Sequence, residues 1–262
     1  MGHHRSMHAR HEGSSMHAQD ESGPAVQHPR RVTSFRSRRS ALTESQQQVW
    51  DRLWPGLGRP AVNADGVAEP LDVDAWFGHP ASVAGPGREL VLEIGCGTGN
   101  STLAMAQSEP DIDVIAVEVY RRGLAQLLSG IDREHVTNIR LIRGDGVDVL
   151  DSLVSPGSLT GVRVFFPDPW PKSRHHKRRL LQPATVALIA NRLRPGGLLH
   201  AATDHPGYAE QIAETGDAEP LLRRVRPGEA LPISVDRPIT KYETKARHAG
   251  RAVTELLWTR SE

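Results

Sequence analysis

The chain has 262 residues, 38% hydrophobic and 24% charged, and a formal net charge of +1. That is enough for one large domain with a buried core plus extensions, and the near-zero balance leaves the question of a polyanionic partner to the distribution of charge. A single cysteine, Cys96, excludes an intramolecular disulfide and a cysteine-built zinc site; no apolar run approaches the roughly 18–20 residues that span a bilayer, and the N-terminus lacks an apolar signal core, so a soluble cytoplasmic protein with no membrane partner is expected.

Residues 1–29 are rich in His, Ser, Gly and Gln and carry almost no aliphatic periodicity, the composition of a disordered tail. Its six histidines are scattered, as in a solvated segment. Residues 30–39 form a basic arm that includes Arg36, Arg38 and Arg39. Thr43 is placed to cap a short helix through Gln46, Val49, Trp50 and Leu53, and Pro55, Gly56, Gly58 and Pro60 are expected to stop it. Residues 55–87 read as loop. From Arg88 the pattern changes to alternating strand and helix. Leu90–Ile94, Val114–Val119, Ile139–Ile142, Val162–Phe166 and Leu198–Ala202 are apolar runs of strand length. The first intervening helix has Asn100 or Ser101 as its expected cap. Leu124, Leu127, Leu128 and Ile131 line one face of the second. Val186, Ile189, Ala190 and Leu193 mark another, ended by Pro195-Gly196-Gly197. Ala252–Thr259 reads as a late strand. Apolar strands alternating with helices imply an α/β fold, a parallel sheet covered on both faces. The expected organisation is a tail (1–29), an arm, helix and loop (30–87), and one main domain (88–262).

The first strand ends in Glu93-Ile94-Gly95-Cys96-Gly97-Thr98-Gly99 and enters a helix. Gly95, Gly97 and Gly99 permit a tight turn and let a ligand approach the backbone at a helix N-terminus. A dinucleotide site and an S-adenosylmethionine site compete for this signal. Asn100 stands where the dinucleotide fingerprint wants its last Gly or Ala. Glu93, two residues before the first glycine, suits a ligand carrying a sulfonium and an ammonium and would repel a pyrophosphate. Both features favour S-adenosylmethionine over a nicotinamide cofactor. Glu118, ending the second strand, suits ribose hydroxyls in either class. Asp145, in Gly144-Asp145-Gly146, can accept from an adenine amino group or serve as a turn residue. Cys96 reads as a small packing residue and not a nucleophile, and His200 as a core histidine.

Phe165-Phe166-Pro167-Asp168-Pro169-Trp170-Pro171-Lys172 is the most specific stretch. Its prolines fix φ and restrain their predecessors, so Asp168 is presented rigidly at the end of the fourth strand. Lys172, Arg174, Lys177, Arg178 and Arg179, with His175 and His176, then place five fixed positive charges in eight residues. A charge run is usually a solvated face, but beside a candidate active site a polyanion is its simplest partner. No third ligand follows the two histidines at metal spacing, so no metal is expected.

These residues resemble the bacterial tRNA (guanine-N7-)-methyltransferases. The resemblance spans roughly Ser34 to Arg260 and is carried by the glycine turn, by Phe165–Lys172, by Arg174-His175-x-Lys177-Arg178-Arg179, by Ala202-Thr203-Asp204 and by Arg237-Pro238-Ile239-Thr240-Lys241-Tyr242-Glu243. The glycine turn is common to most class I methyltransferases, whereas the Phe-Pro-Asp-Pro-Trp element with its basic tail is specific. The resemblance implies a Rossmann-like class I methyltransferase fold with a seven-stranded, mostly parallel sheet, and S-adenosylmethionine as cofactor. It implies that Glu93, Glu118, Asp145 and Asp168 lie around that cofactor, with Asp168 catalytic. Lys172, Asp204, Thr240, Lys241, Tyr242 and Glu243 would contact the guanine nucleotide, in the tRNA variable loop, and the basic run would contact RNA. The N-terminal extension is longer and more His-rich than the resemblance leads one to expect. A class I methyltransferase acting on another RNA or a small molecule would share the cofactor residues but have no need of the basic run. The protein is expected as a monomer or homodimer.

Overall fold

The computed structural model describes residues 1, 41–79, 88–239, 243–244, 250 and 252–262. The expected tail and arm, Arg36, Arg38 and Arg39 included, lie outside the described residues, as do Thr240, Lys241 and Tyr242.

Helix α1 (Glu44–Leu57) starts where its sequence provides a cap. The Gln46 N–H donates to Thr43 Oγ1, and the Thr43 N–H donates to Gln46 Oε1, closing a capping box at 3.2 and 3.1 Å. The helix runs through Pro55 and Gly56 and does not stop there; Gly58–Pro60 then forms a short strand, β1. Helix α2 (Val73–Phe77) lies in the stretch expected to be loop. Strand β2 (Glu89–Ile94), helix α3 (Asn100–Ser108), strand β3 (Ile112–Glu118), helix α4 (Arg121–Glu134) and strand β4 (Ile139–Arg143) follow. The cap of α3 is Gly99, not Asn100 or Ser101. Gly99 has φ 76°, and a Cβ there would stand 2.6 Å from Leu127 Cδ1, so only glycine allows the turn and the packing together.

A short helix α5 (Gly146–Asp148) passes into a π turn (Val149–Leu153), then come strand β5 (Leu159–Phe165) and a 3-10 helix (Ser173–Arg178). Helix α6 (Pro183–Arg192), strand β6 (Leu193–Thr203), helix α7 (Pro206–Ala218) and strands β7 (Leu222–Arg224) and β8 (Thr254–Arg260) complete the chain. Pro195-Gly196-Gly197 lies within β6 and does not precede it. The ladder jumps from Leu159–Leu193 to Gly161–Leu198, so residues 194–197 bulge from a strand that starts five residues early.

The described strands form one sheet in the order β1-β4-β3-β2-β5-β6-β8-β7, with β8 antiparallel to both neighbours. Eight strands stand where seven were expected. Without β1, a three-residue edge strand parallel to β4, the remaining seven run 3-2-1-4-5-7-6. Through its first five strands this is the doubly wound order, with its switch point between β2 and β5. β1 pairs with β4 and α1 packs on α4, so residues 44–60 join the sheet.

Both faces are apolar. Leu92, Ile115, Val162 and Leu199 face α6, α7 and the π turn through Val186, Ile189, Tyr208, Ile212 and Leu153. Val91, Val114, Ala116 and Leu198 face the other way, against α4 and Trp50 of α1. The α4 residues Leu124, Leu127, Leu128 and Ile131 are all buried, as their 3.6-residue spacing requires. Among the described residues, no helix is long and apolar enough to cross a membrane.

Candidate active site

Strand ends at the switch point gather the acidic residues. Glu93 lies near the end of β2, Glu118 ends β3, Asp145 follows β4 and Asp168 follows β5. Because β2 pairs in parallel with both β3 and β5, these ends share one edge of the sheet.

The glycine turn is shaped as a cradle. Gly95 and Gly97 have φ 78° and 58°, and a Cβ on either would meet nothing within 4 Å. The amides of Gly95 and Cys96 donate to Val117 O, which ties the turn to β3. Glu118 fixes the other side. Its carboxylate accepts from the N–H groups of Gly97 (2.9 Å), Val119 (2.7 Å) and Tyr120 (3.0 Å). Gly123 completes the approach, because a Cβ there would lie 2.2 Å from Gly97 O and push α4 off the turn.

Glu93 is 2% exposed, and its Oε2 has no hydrogen-bond partner among the described residues. Burial pushes its carboxyl above the ordinary carboxylate range, while Arg163, Thr102 and Arg237 pull it back. A buried carboxylate beside an open glycine cradle fits the ammonium-bearing end of S-adenosylmethionine. Asp145 caps α5, with the Val147 N–H donating to its Oδ1 at 2.8 Å, so the turn role open in the sequence is filled. Desolvation and the nearby Glu93 and Glu118 charges drive the Cys96 thiol well up, which keeps it protonated and poorly nucleophilic.

The turn after β5 is strained. Phe166 (φ 50°) and Trp170 (φ 42°) are non-glycine residues in the left-handed region, a conformation that costs on the order of 1–3 kcal/mol each. The strain is held by its surroundings. The Phe166 N–H donates to Ala202 O at 2.8 Å. The Trp170 ring meets His175 edge-on at 5.6 Å, and the Arg178 guanidinium lies 4.9 Å from its centroid. Asp168 is exposed at the turn's apex.

Lys172, Arg174, Lys177 and Arg178 are exposed on or beside the 3-10 helix. Desolvation, and then its cationic neighbours with Arg178 first among them, lower the His175 imidazole below its ordinary value. Arg179 differs from the expectation. It is 2% exposed, its Nε donates to Pro169 O (2.7 Å), and its Nη1 donates to Gln211 Oε1 (2.6 Å) and Gly207 O (3.3 Å), with the guanidinium over Tyr208. It clamps the Asp168 turn to α7 and presents no charge to solvent. Arg179→Ala is expected to cost roughly 2–4 kcal/mol of stability, and Arg178→Ala less than about 1 kcal/mol, in thermal unfolding.

Asp204, directly after β6, is buried at 5% exposure, and Glu243 at 2%. Three residues at the site were given no role by the sequence, although Arg237 is part of a motif. Tyr120, two residues beyond Glu118, has its phenol pushed up by desolvation and then by Asp168 and Glu118, so it stands within electrostatic reach of both. Arg163, fully buried in β5, is in register with Glu93 and donates to Glu109 at 2.6 Å. Its signal was a lone charge between Val162 and Val164. Arg237 is the third.

A doubly wound sheet with a glycine cradle, acids at the strand ends and a rigid carboxylate at the switch point defines the class I methyltransferase architecture. The family model "Putative methyltransferase" (Methyltransf_4) matches residues 87–256. The tRNA (guanine-N(7)-)-methyltransferase of Mycobacterium avium strain 104 is 62% identical over 99% of this chain and 100% of that protein. That of Mycolicibacterium gilvum is 70% identical over 88% of each chain, and that of Mycobacterium leprae strain Br4923 is 65% identical over 87% of this chain and 96% of that protein. The chain belongs to the tRNA (guanine-N(7)-)-methyltransferase family. The M. avium alignment takes in nearly all of this chain, so the long N-terminal extension is shared. Among solved structures, the 16S rRNA methyltransferase KamB is similar at 19% identity and a TM-score of 0.47, over 77% of this chain and 99% of that one.

Proposed function

We propose that the protein transfers the methyl group of S-adenosylmethionine to N7 of a guanine in the variable loop of tRNA, in the cytoplasm. The observation that carries this is the turn from Phe165 to Lys172. It holds an exposed carboxylate between the cofactor cradle and an exposed basic helix. The names of the close relatives support the same reading.

N7 of guanine has a lone pair and no proton to lose, so the reaction needs alignment and electrostatics but no strong base. S-adenosylmethionine supplies a methyl group bonded to a positively charged sulfur. Glu93 would accept from its ammonium, Glu118 from its ribose hydroxyls, and Asp145, whose Oδ1 caps α5, would accept from its adenine amino group with Oδ2. Asp168 places fixed negative charge where positive charge grows on the guanine ring. Lys172, Asp204, Thr240, Lys241, Tyr242 and Glu243 hold the nucleotide. Arg174, His175, Lys177 and Arg178, with Arg36, Arg38 and Arg39 of the arm, meet phosphates; Arg179 is left out of this set because it is spent on the fold.

Incubation with S-adenosylmethionine and unmodified tRNA transcripts, followed by reduction and strand cleavage at N7-methylguanine, tests the reading. Cleavage at one variable-loop guanine, abolished when that guanine is replaced, is the expected result. Methylation elsewhere, or none with cofactor binding intact, overturns it. Replacing Arg174, Lys177 and Arg178 together by Glu is expected to reduce the slope of log affinity against log salt by at least about 2, since each phosphate contact contributes roughly 0.7–0.9. An unchanged slope would remove this helix from the RNA interface.

A further inference from the structure

One buried guanidinium links the Asp168 turn to Glu243. The Arg237 side chain is 3% exposed and bridges two carboxylates, with Nη1 donating to Glu243 Oε2 and Nη2 to Glu255 Oε1, both at 2.7 Å. Its flat face lies over two rings, 4.9 Å from the Phe166 centroid and 5.4 Å from that of Phe165. Phe166 is the strained residue that launches Pro167-Asp168. The second carboxylate is anchored in turn. Glu255 on β8 pairs with His200 Nε2 at 2.5 Å, and His200 sits in mid-sheet on β6, edge-on to Phe165 at 4.8 Å. The backbone leading to Arg237 is tied down separately. The Ser234 N–H donates to Glu109 Oε1 at 2.6 Å, and Arg163 Nη2 donates to Ser234 O at 3.2 Å.

A surface ion pair has no need of this construction. A planar fork satisfies two carboxylates at fixed angles while its face rests on aromatic rings, which is work that arginine can do and lysine cannot. We propose that Arg237 is a positioning residue that sets the Glu243 carboxylate against the guanine edge, in fixed relation to Asp168, and thereby makes the enzyme select guanine over bases lacking the N2 amino group. This rests on the proposal that Glu243 helps to hold the nucleotide, here as the acceptor of guanine N1–H and N2–H₂. The two groups then act on one ring. Asp168 favours its developing positive charge, and Glu243 accepts from N–H groups that become better donors as that charge grows. Arg237 fixes the distance between them because it touches both the rings behind one and the carboxylate of the other.

The test uses the full chain with two tRNA transcripts that differ only in guanosine or inosine at the target position, inosine lacking the N2 amino group. The wild type is expected to prefer guanosine by roughly 10–100-fold in kcat/KM, the worth of hydrogen bonds to a charged acceptor. Arg237→Gln is expected to lose most of that preference and a similar factor in kcat on guanosine, while KM for tRNA, set by phosphate contacts, changes less than about threefold. Arg237→Lys retains charge but not the fork and is expected to fall between the two; it decides the matter if Arg237→Gln does not fold. Adding Glu243→Gln to either variant is expected to cost little more, since the residues act as a unit. Folded Arg237 variants that keep the guanosine preference while Glu243→Gln loses it overturn the positioning role and leave the guanine reading intact. A preference that survives Glu243→Gln removes that reading and this proposal with it.

Discussion

Asp168→Ala is expected to lower kcat by about 10²–10³-fold, the usual cost of deleting one group that stabilises transition-state charge, while tRNA affinity changes less than about threefold. The structure gives the reason for the split. Asp168 stands exposed at the apex of a turn whose shape is fixed by others: by Pro167, Pro169 and Pro171, by the Phe166 amide on Ala202 O, and by Arg179 on Pro169 O. Alanine removes the charge and leaves the scaffold. Asp168→Asn separates two explanations. If fixed negative charge is what matters, the asparagine variant loses nearly as much kcat as the alanine one. If Asp168 serves mainly as a hydrogen-bond acceptor, asparagine recovers much of the rate. Turnover close to wild type in both variants would take Asp168 out of catalysis and turn attention to Tyr120, which stands within electrostatic reach of it.

Several of these features were legible in the sequence for physical reasons that also mark its limits. Val91-Leu92 and Val114–Val117 read as central strands because a parallel sheet buried on both faces leaves few polar positions to confuse the period, and Val162–Val164 did so despite Arg163. The acids were found because ligands in such sheets bind beyond the strand ends, which makes a carboxylate there conspicuous. The elements that were missed lack these signals. β1 is three residues containing a proline, and β7 is three residues with two exposed arginines; each is a strand only because a neighbouring edge pairs with it. The entry into β6 was hidden by Pro195-Gly196-Gly197, which marks a bulge as readily as a stop. In the basic run, linear charge density could not separate Arg178, turned onto Trp170 at the surface, from Arg179, turned inward onto Tyr208, since one residue of 3-10 helix is a third of a turn. Arg163 was missed because its partner, Glu109, is far away in sequence, and Arg237 stood in the sequence only as a motif residue because its bridge from Glu243 to Glu255 forms only in the fold.

Glu93→Gln is expected to weaken S-adenosylmethionine binding by roughly 10–100-fold at neutral pH, the worth of a charge-assisted hydrogen bond in a buried site. The pH dependence gives the stronger test. Burial raises the Glu93 carboxyl above the ordinary range in the free protein, and a bound ammonium favours its ionised form. Affinity should therefore be level above that raised value and fall as the pH drops through it, at a pH higher than an exposed glutamate would give. The glutamine variant should show no such fall over the same window. Stability should move the other way. A carboxyl raised by folding ionises more readily in the unfolded chain, so the ionised Glu93 costs the ligand-free protein stability at neutral pH. Arg163 keeps Glu109 as its partner when Glu93 is neutralised. The ligand-free Glu93→Gln protein should accordingly melt no lower than the wild type, while gaining less from added cofactor. A variant that melts several degrees lower yet binds the cofactor undiminished would show that Glu93 serves Arg163 and the sheet and not the methyl donor. The predicted pairing, unharmed fold and impaired binding, is what a carboxylate buried at the expense of stability for a ligand must produce.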